Sequence, residues 1–201
     1  MKQNYQLALD KITEGIKKDG SRPSLLLHAC CAPCSSYVLE YLTEYFEITL
    51  FFYNPNISPS EENDLRLSEL RRLVREMGLS EQVKIISGDY EPEKFEELSS
   101  GLEALPEGGA RCAKCYGLRL DKTAQLAASR GYDYFCTTLS ISPHKNAEWL
   151  NSIGQAMAEK YGSVWLPSDF KKRGGYKRSC ELSVQHGLYR QNFCGCEYSR
   201  R

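Results

Sequence analysis

Cysteine is the residue type whose number and spacing point most directly to chemistry in this sequence. The chain of 201 residues contains nine cysteines, an odd number, and most of them are clustered. The clusters are Cys30, Cys31 and Cys34, then Cys112 and Cys115, then Cys194 and Cys196. Structural disulfides are typical of exported chains with an even number of cysteines. Metal or redox chemistry is therefore the better prediction.

The first two clusters together offer enough thiolates for a metal centre. Four cysteine sulfurs from two loops suit a structural zinc ion and an iron–sulfur cluster equally, so the spacing leaves both open. A third interpretation is a thiol-disulfide enzyme, because Cys31-Ala32-Pro33-Cys34 has the form of a thioredoxin active site. That mechanism uses neither the adjacent Cys30 nor the second cluster, which weighs against it.

The third cluster has a different character. A disulfide across a single residue, as between Cys194 and Cys196, would close a small strained ring that is easily reduced. This favours a redox-active pair, and the alternatives are two free thiols or two ligands of the same metal. The isolated Cys136 and Cys180 are more typical of small buried residues.

The elements that must position these thiols alternate between strands and helices. Short apolar runs predict five strands, at Leu25–Ala29, Ile48–Tyr53, Val83–Ser87, Tyr134–Thr138 and Val164–Leu166. With helical patterns between them, they predict a Rossmann-like (HUP-like) α/β fold, a parallel sheet of about five strands with helices on both faces. Ligands of such sheets bind beyond the carboxyl ends of the strands, above all at the first strand–helix turn. Here that turn is the first cysteine cluster.

The chain reads as a single domain. Residues 1–20 form a capping helix, residues 24–169 the α/β core, and residues 170–201 a basic, irregular tail that contains cysteines. No apolar stretch is long enough to span a membrane, and the charged N-terminus does not resemble a secretory signal, so we expect a cytoplasmic protein. The 26 basic and 26 acidic residues cancel, so any nucleic acid must be held by a local basic patch.

One such patch lies in the tail. Five basic residues surround Gly174-Gly175-Tyr176, namely Lys171, Lys172, Arg173, Lys177 and Arg178. A flexible basic segment with an aromatic side chain suits phosphates and an unstacked base, and a solvated run of charges is the alternative. A second group of arginines, with Arg66 and Arg72, is interleaved with acidic residues on a predicted helix over 61–77. That pattern predicts ordinary surface ion pairs.

Five motifs in combination resemble the epoxyqueuosine reductase QueH family. They are His28-Ala29-Cys30-Cys31-Ala32-Pro33-Cys34-Ser35, Phe52-Tyr53-Asn54-Pro55-Asn56-Ile57, Arg111-Cys112-Ala113-Lys114-Cys115-Tyr116, Thr137-Thr138-Leu139-Ser140-Ile141-Ser142-Pro143 and Tyr189-Arg190-Gln191-Asn192-Phe193-Cys194-Gly195-Cys196. The resemblance runs from about Ser24 to Ser199. It implies an oxidoreductase that reduces epoxyqueuosine to queuosine at the wobble position of tRNA, without cobalamin and with a [4Fe–4S] cluster.

The resemblance also implies roles for individual thiols. Cys30, Cys31, Cys112 and Cys115 would be the cluster ligands, and Cys194 with Cys196 the redox-active pair. Cys34 would be a ligand to an additional iron. The partners implied are tRNA that carries epoxyqueuosine in its anticodon and an electron donor that the sequence does not identify.

The implied reaction needs two electrons, two protons and a group that polarises the epoxide oxygen. A cluster with an accessible iron supplies electrons and Lewis acidity. Asp89 and Tyr53, at strand ends, are our candidate proton donors, and His28 is more typical of a structural neighbour of the first turn. Ser140, Ser142 and Lys145 follow the fourth strand and are placed to line the pocket for the modified base. The alternative functions are a thioredoxin-like thiol-disulfide oxidoreductase and a non-catalytic zinc module that binds RNA.

Overall fold

Four parallel strands form one sheet flanked by helices, as seen in a computed structural model that describes residues 3–200. The strands are β1 (Ser24–Ala29), β2 (Glu47–Phe52), β3 (Val83–Ser87) and β4 (Tyr134–Thr137), in the order β3-β2-β1-β4. The helices are α1 (Tyr5–Asp19), α2 (Ala32–Leu42), α3 (Ser60–Glu76), α4 (Pro92–Ser99), α5 (Ala110–Arg130), α6 (Ala147–Tyr161) and α7 (Gly175–Gln185). The predicted α/β class is confirmed. No helix within residues 3–200 is long and apolar enough to cross a membrane.

The two central strands, β1 and β2, are apolar because helices cover both faces of the sheet. In β1, Leu27 pairs in register with Leu50 of β2 and with Cys136 of β4, and all three side chains are fully buried. Strands buried on both faces read as continuous apolar runs, which is how β1 and β2 appear in the sequence. The carboxyl ends of β1, β2 and β4 therefore meet at one edge, where the first cysteine cluster follows Ala29.

Local signals fix the ends of the helices next to that edge. Asn146 caps α6 by accepting a hydrogen bond from the Trp149 amide at 3.1 Å. The long helix α5 begins after Gly109 and ends at Gly131, whose left-handed conformation closes the last turn. This places Cys112 in the first turn of α5 and Cys115 in the second, at the start of a helix as the sequence predicts.

Two expectations about the fold were wrong in detail. The predicted fifth strand, Val164–Leu166, makes only a single bridge between Trp165 and Phe135 and does not extend the sheet. Three residues give too few ladder hydrogen bonds for a strand of the sheet. The tail from residue 170 is not irregular throughout, since it contains α7. That helix lacks an apolar stripe, with Leu182 buried but Val184 83% exposed, so its periodicity was not visible in the sequence.

Candidate active site

A cavity of about 280 Å³ opens at the carboxyl edge of the sheet, where the thiols collect. Cys30 and Cys34 from the β1–α2 turn line it on one side, and Cys194 from the C-terminal segment lines it on another. Its size is near the lower limit for small-molecule sites. A cavity of this volume suits a small molecule or one group of a larger one.

Three thiols form a compact group at this edge. The ligand atoms of Cys30, Cys31 and Cys34 all lie within 4.8 Å of one another, and the Sγ atoms of Cys30 and Cys31 are 3.7 Å apart. Cys31 is the N-cap of α2 and Cys34 lies in its first turn, so the end of β1 and the start of α2 create the group together. All nine cysteines of the chain are free thiols.

Charge is unevenly shared within this group. Hydrogen bonds from Cys31 and Cys34, together with Arg119, hold the pKa of the Cys30 thiol well below its ordinary value. The pKa of Cys31 is raised to about 12, chiefly by its hydrogen bond to Cys30, and that of Cys34 is raised for the same reason. The three thiols therefore titrate together rather than one by one.

Arg119 is a buried cation in direct reach of the thiols. Its side chain is 1% exposed, its Nη2 donates to Asn54 Oδ1 at 2.6 Å, and its Nη1 lies 3.9 Å from Cys115 Sγ. Burial opposes its charge, but Cys115, Cys30 and Cys194 outweigh that effect and raise its pKa. Among residues 3–200 no carboxylate lies within ion-pair distance of this guanidinium. Its negative counterpart must come from the thiolates or from a group that they bind.

His28 lies on the inner side of Arg119. Its Nδ1 is 2.8 Å from Thr137 Oγ1, and its Nε2 is 3.1 Å from the Tyr53 carbonyl oxygen. Burial and the neighbouring Arg119 lower the pKa of His28 to about 3, so the imidazole is neutral. It does not line the cavity. His28 thus joins the ends of three strands, which matches its predicted structural role.

The second cysteine cluster lies near the start of α5. Cys112 is buried in the same apolar cluster as Cys30 and Cys31, and its Sγ accepts a hydrogen bond from the Gly108 amide at 3.3 Å. Cys115 packs with Phe95 and Cys196 in a smaller cluster. Both thiols are buried and neither lines the cavity. Burial raises the pKa of Cys115 to about 11.

The C-terminal segment carries Cys194 to the cavity because it is anchored on α3. Arg66, 1% exposed, donates from Nη1 to the Cys194 carbonyl at 3.0 Å and pairs through Nε with Glu62 at 2.7 Å. Ser58 N donates to the Gly195 carbonyl at 3.0 Å. The expectation that the α3 arginines form only surface ion pairs was wrong for Arg66. The alternating charges of α3 are typical of a solvated helix face. The carbonyl that accepts from Arg66 belongs to Cys194, 128 positions away in the sequence.

Lys145 is the charged residue closest to Cys194. Its ammonium Nζ lies 2.9 Å from Cys194 Sγ and 3.1 Å from Glu107 Oε1, and its side chain is only 6% exposed. Burial opposes its charge, but Cys194, Tyr116 and Glu107 raise its pKa above the ordinary value. It lines the cavity as expected, together with Ser142.

Several other predicted site residues lie away from the cavity. Asp89 is exposed, and Tyr53 is buried with its hydroxyl donating to Glu91 Oε2 at 2.9 Å. Ser140 is fully buried, where its hydroxyl lies 3.1 Å from that of Ser168. None of the three lines the cavity, so their neighbours give no support to the roles predicted for them.

The basic tail residues are placed around the outside of the same site. Tyr176 lines the cavity, and Lys171 and Lys172 line a second depression, which shares Pro143, His144 and Lys145 with it. Three charges are already paired, Lys171 with Asp169, Arg173 with Asp10, and Arg178 with Glu40. Lys172 and Lys177 are exposed.

Sequence reasoning missed Arg119, Glu107 and the anchoring role of Arg66. Arg119 had a usable signal, because it lies four residues after Cys115 on a predicted helix and so shares its face. Glu107 lies in a loop between α4 and α5 and had no signal, since no periodicity relates it to Lys145.

Gly195 is a position in the C-terminal segment where a larger side chain would be strained. It has φ of 127°, and a Cβ there would lie 2.9 Å from Ile57 Cγ1 and 3.1 Å from Arg66 Nη1. We expect Gly195→Ala to lower the free energy of unfolding by about 1–3 kcal/mol and to expose the segment to trypsin at Arg190. Chemical denaturation and limited proteolysis measure both effects.

Gly162→Ala is the matched control for this prediction. Gly162 also has positive φ, at 68°, but nothing lies within 4 Å of the added Cβ. Gly162→Ala should lower the free energy of unfolding through backbone strain alone, and proteolysis at Arg190 should not change. Equal behaviour of the two variants would show that the contacts of Gly195 do not hold the segment.

Comparison with known proteins identifies relatives over nearly the whole chain. The family profile described as "Epoxyqueuosine reductase QueH" matches residues 25–201. A protein named epoxyqueuosine reductase QueH from Streptococcus pyogenes serotype M1 is 43% identical over 202 residues, covering 100% of this chain and 79% of the relative. Proteins with the same name from Staphylococcus epidermidis (43% identical, 98% of this chain, 85% of the relative) and Thermotoga maritima (36%, 88% and 90%) are also similar.

Proposed function

The chain belongs to the epoxyqueuosine reductase QueH family, and we propose that it reduces epoxyqueuosine to queuosine in tRNA with an iron–sulfur cluster. The observation that carries this proposal is the group of three thiols, Cys30, Cys31 and Cys34, at the wall of a base-sized cavity. A reductase that works on an epoxide needs a redox centre beside its substrate, and this group is where the described residues offer one.

The residues present fit a sulfur-ligated, negatively charged group. Cys30, Cys31, Cys112 and Cys115 would hold a [4Fe–4S] cluster, and Cys34 would hold an additional iron. Four thiolates around an iron–sulfur core leave a net negative charge. This charge would compensate the positive charge of the buried Arg119, which has no carboxylate partner among residues 3–200. The cluster would supply electrons, and the additional iron held by Cys34 would supply Lewis acidity toward the epoxide oxygen.

The remaining residues of the cavity position the substrate. Tyr176, at the rim, offers a ring on which an unstacked base can lie, and Ser142 offers a hydroxyl beside it. Arg119 of α5 donates to Asn54, whose Nδ2 donates to the Ala29 carbonyl at the end of β1, so Asn54 connects α5 with the first turn. Cys194 and Cys196 form the redox-active pair of the proposal.

Anaerobic purification followed by an activity assay tests the proposal. We expect a brown protein with bound iron and sulfide that converts epoxyqueuosine to queuosine in tRNA when a reductant is supplied, measured by mass spectrometry of the nucleosides. A colourless protein with stoichiometric zinc and no conversion would contradict it.

The basic tail gives a prediction about RNA binding. Replacing Lys171, Lys172 and Arg173 together by Ala should weaken binding of tRNA. Each interaction with a phosphate that the substitutions remove should lower the slope of log K against log salt by about 0.7–0.9. Bound iron should be unchanged. Filter binding over a series of salt concentrations measures the slope.

The control for the tail variant removes three exposed charges elsewhere. Lys17, Lys84 and Arg130 are exposed and none of them lines the cavity. Their combined replacement by Ala should leave the slope within error of the parent protein. The same slope in the tail variant would place the RNA on another surface.

A further inference from the structure

Every turnover of the proposed reaction needs an acid inside the cavity. Reducing an epoxide to an alkene breaks two C–O bonds, consumes two electrons and two protons, and releases the oxygen as water. The acid must reach the oxygen while the base fills the cavity and excludes solvent. This requirement rests on the proposed function.

Few groups on the cavity wall meet this requirement. Asp89, Tyr53 and His28 do not line the cavity. His144 and Tyr176 line it but are exposed at its rim. Two buried cations line the wall, Arg119 and Lys145. The Arg119 guanidinium is held by Asn54 and Cys115, whereas Lys145 Nζ lies beside Cys194 Sγ, a thiol that lines the cavity.

Lys145 also has a route for recovering a proton. Glu107 Oε1 is 3.1 Å from Nζ, and the Glu107 side chain is 25% exposed while that of Lys145 is 6% exposed. The carboxylate, which also lines the cavity, is therefore partly exposed and in direct contact with the ammonium. The groups that face Nζ are Glu107, Cys194 and Tyr116, and together they favour the protonated amine.

We propose that Lys145 is the catalytic acid that delivers protons to the departing epoxide oxygen, with Glu107 as its relay to solvent. As the first C–O bond breaks, an Nζ–H bond breaks and its proton passes to the oxygen, which leaves a neutral amine. A proton from water then returns through Glu107. The second transfer releases the oxygen as water when the second C–O bond breaks. The two electrons come from a low-potential one-electron reductant, for which dithionite serves in the test.

Lys145→Ala with chemical rescue is the decisive experiment. General acid catalysis contributes about 10²–10⁴ in rate, so single-turnover reduction of an epoxyqueuosine-containing anticodon stem–loop RNA should slow by that factor. Iron, sulfide and RNA affinity should stay near those of the parent protein. Ethylammonium, which fits the space left by the side chain, should restore part of the rate in proportion to its concentration.

Two further variants separate proton donation from charge and from general damage. Lys145→Arg keeps the positive charge but holds its proton too tightly to donate, so it should stay slow. Lys160→Ala removes an exposed lysine that pairs with Asp121 on another surface, and it should leave the rate unchanged. These comparisons require that the parent protein reduces the RNA. If the parent protein fails, the proposed function fails instead.

The opposite results would overturn the assignment of Lys145. A near-normal rate in Lys145→Ala would show that the proton comes from another group. A fast Lys145→Arg variant would show that charge alone suffices. Loss of iron together with activity would make Lys145 a residue of cluster assembly, and a slow variant that ethylammonium does not rescue would remove the proton-transfer role.

Discussion

Serine at Cys112 or at Cys115 should remove most of the bound iron and lower epoxyqueuosine reduction more than about 100-fold. Both thiols lie buried in the first two turns of α5, and Cys112 packs in the same apolar cluster as Cys30 and Cys31. A hydroxyl is a poor ligand for iron in place of a thiolate, so each variant loses a ligand that no neighbour replaces. Iron and sulfide analysis, with activity measured on the same preparation, checks the prediction.

Cys180→Ser is the matched control for these ligand variants. Cys180 lies in α7, is half-buried and does not line the cavity. Its replacement should leave both iron and activity near those of the parent protein. Full iron content and full turnover in Cys112→Ser and Cys115→Ser would remove these two cysteines from the ligand set.

Serine at Cys194 or at Cys196 should have a different effect, retaining iron but stopping multiple turnover. Cys194 lines the cavity beside Lys145, whereas Cys196 is buried with Phe95 and Cys115. The two thiols are close in sequence but have different surroundings. A disulfide between them would close a strained ring, so it should form during turnover and need an external reductant to reset it.

The measurement that isolates this role compares the first turnover with later ones. Each variant should retain near-normal iron and sulfide but fail to sustain repeated turnover, while the parent protein continues as long as reductant is present. Loss of iron in either variant would make that thiol a ligand. Uninterrupted turnover in both would make the pair incidental.

The sequence was most informative where one short segment carries the whole signal. The β1–α2 turn follows a continuous apolar run and precedes a helical pattern, so its place at the edge of the sheet could be predicted from its own residues. Cys112 and Cys115 were predicted at the start of a long helix for the same reason. The fold class depended on five such local patterns, and four of them form the sheet.

The sequence was least informative where a site residue depends on a distant partner. Arg66 donates a hydrogen bond to the carbonyl of Cys194, 128 positions away. Nothing near Arg66 in the sequence indicates that hydrogen bond. Glu107 and Lys145 meet across 38 positions and lie in loops without periodicity. Tyr53 shows the reverse error, because its place at a strand end suggested the cavity, whereas its side chain turns toward Glu91.

The parallel pairing of β1 with β4 has a consequence for the thiols at the end of β1 and for the metal that we propose they bind. His28 and Thr137 are 109 positions apart, and parallel pairing across such a distance forms slowly because a long loop must close first. Until β4 pairs with β1, the later part of the chain does not cover the thiols of Cys30, Cys31 and Cys34. The nascent protein therefore passes through a period in which these thiols are open to metal delivery and equally open to oxidation. Its yield of active molecules should depend on the supply of iron and the exclusion of oxygen during synthesis, before any substrate is present.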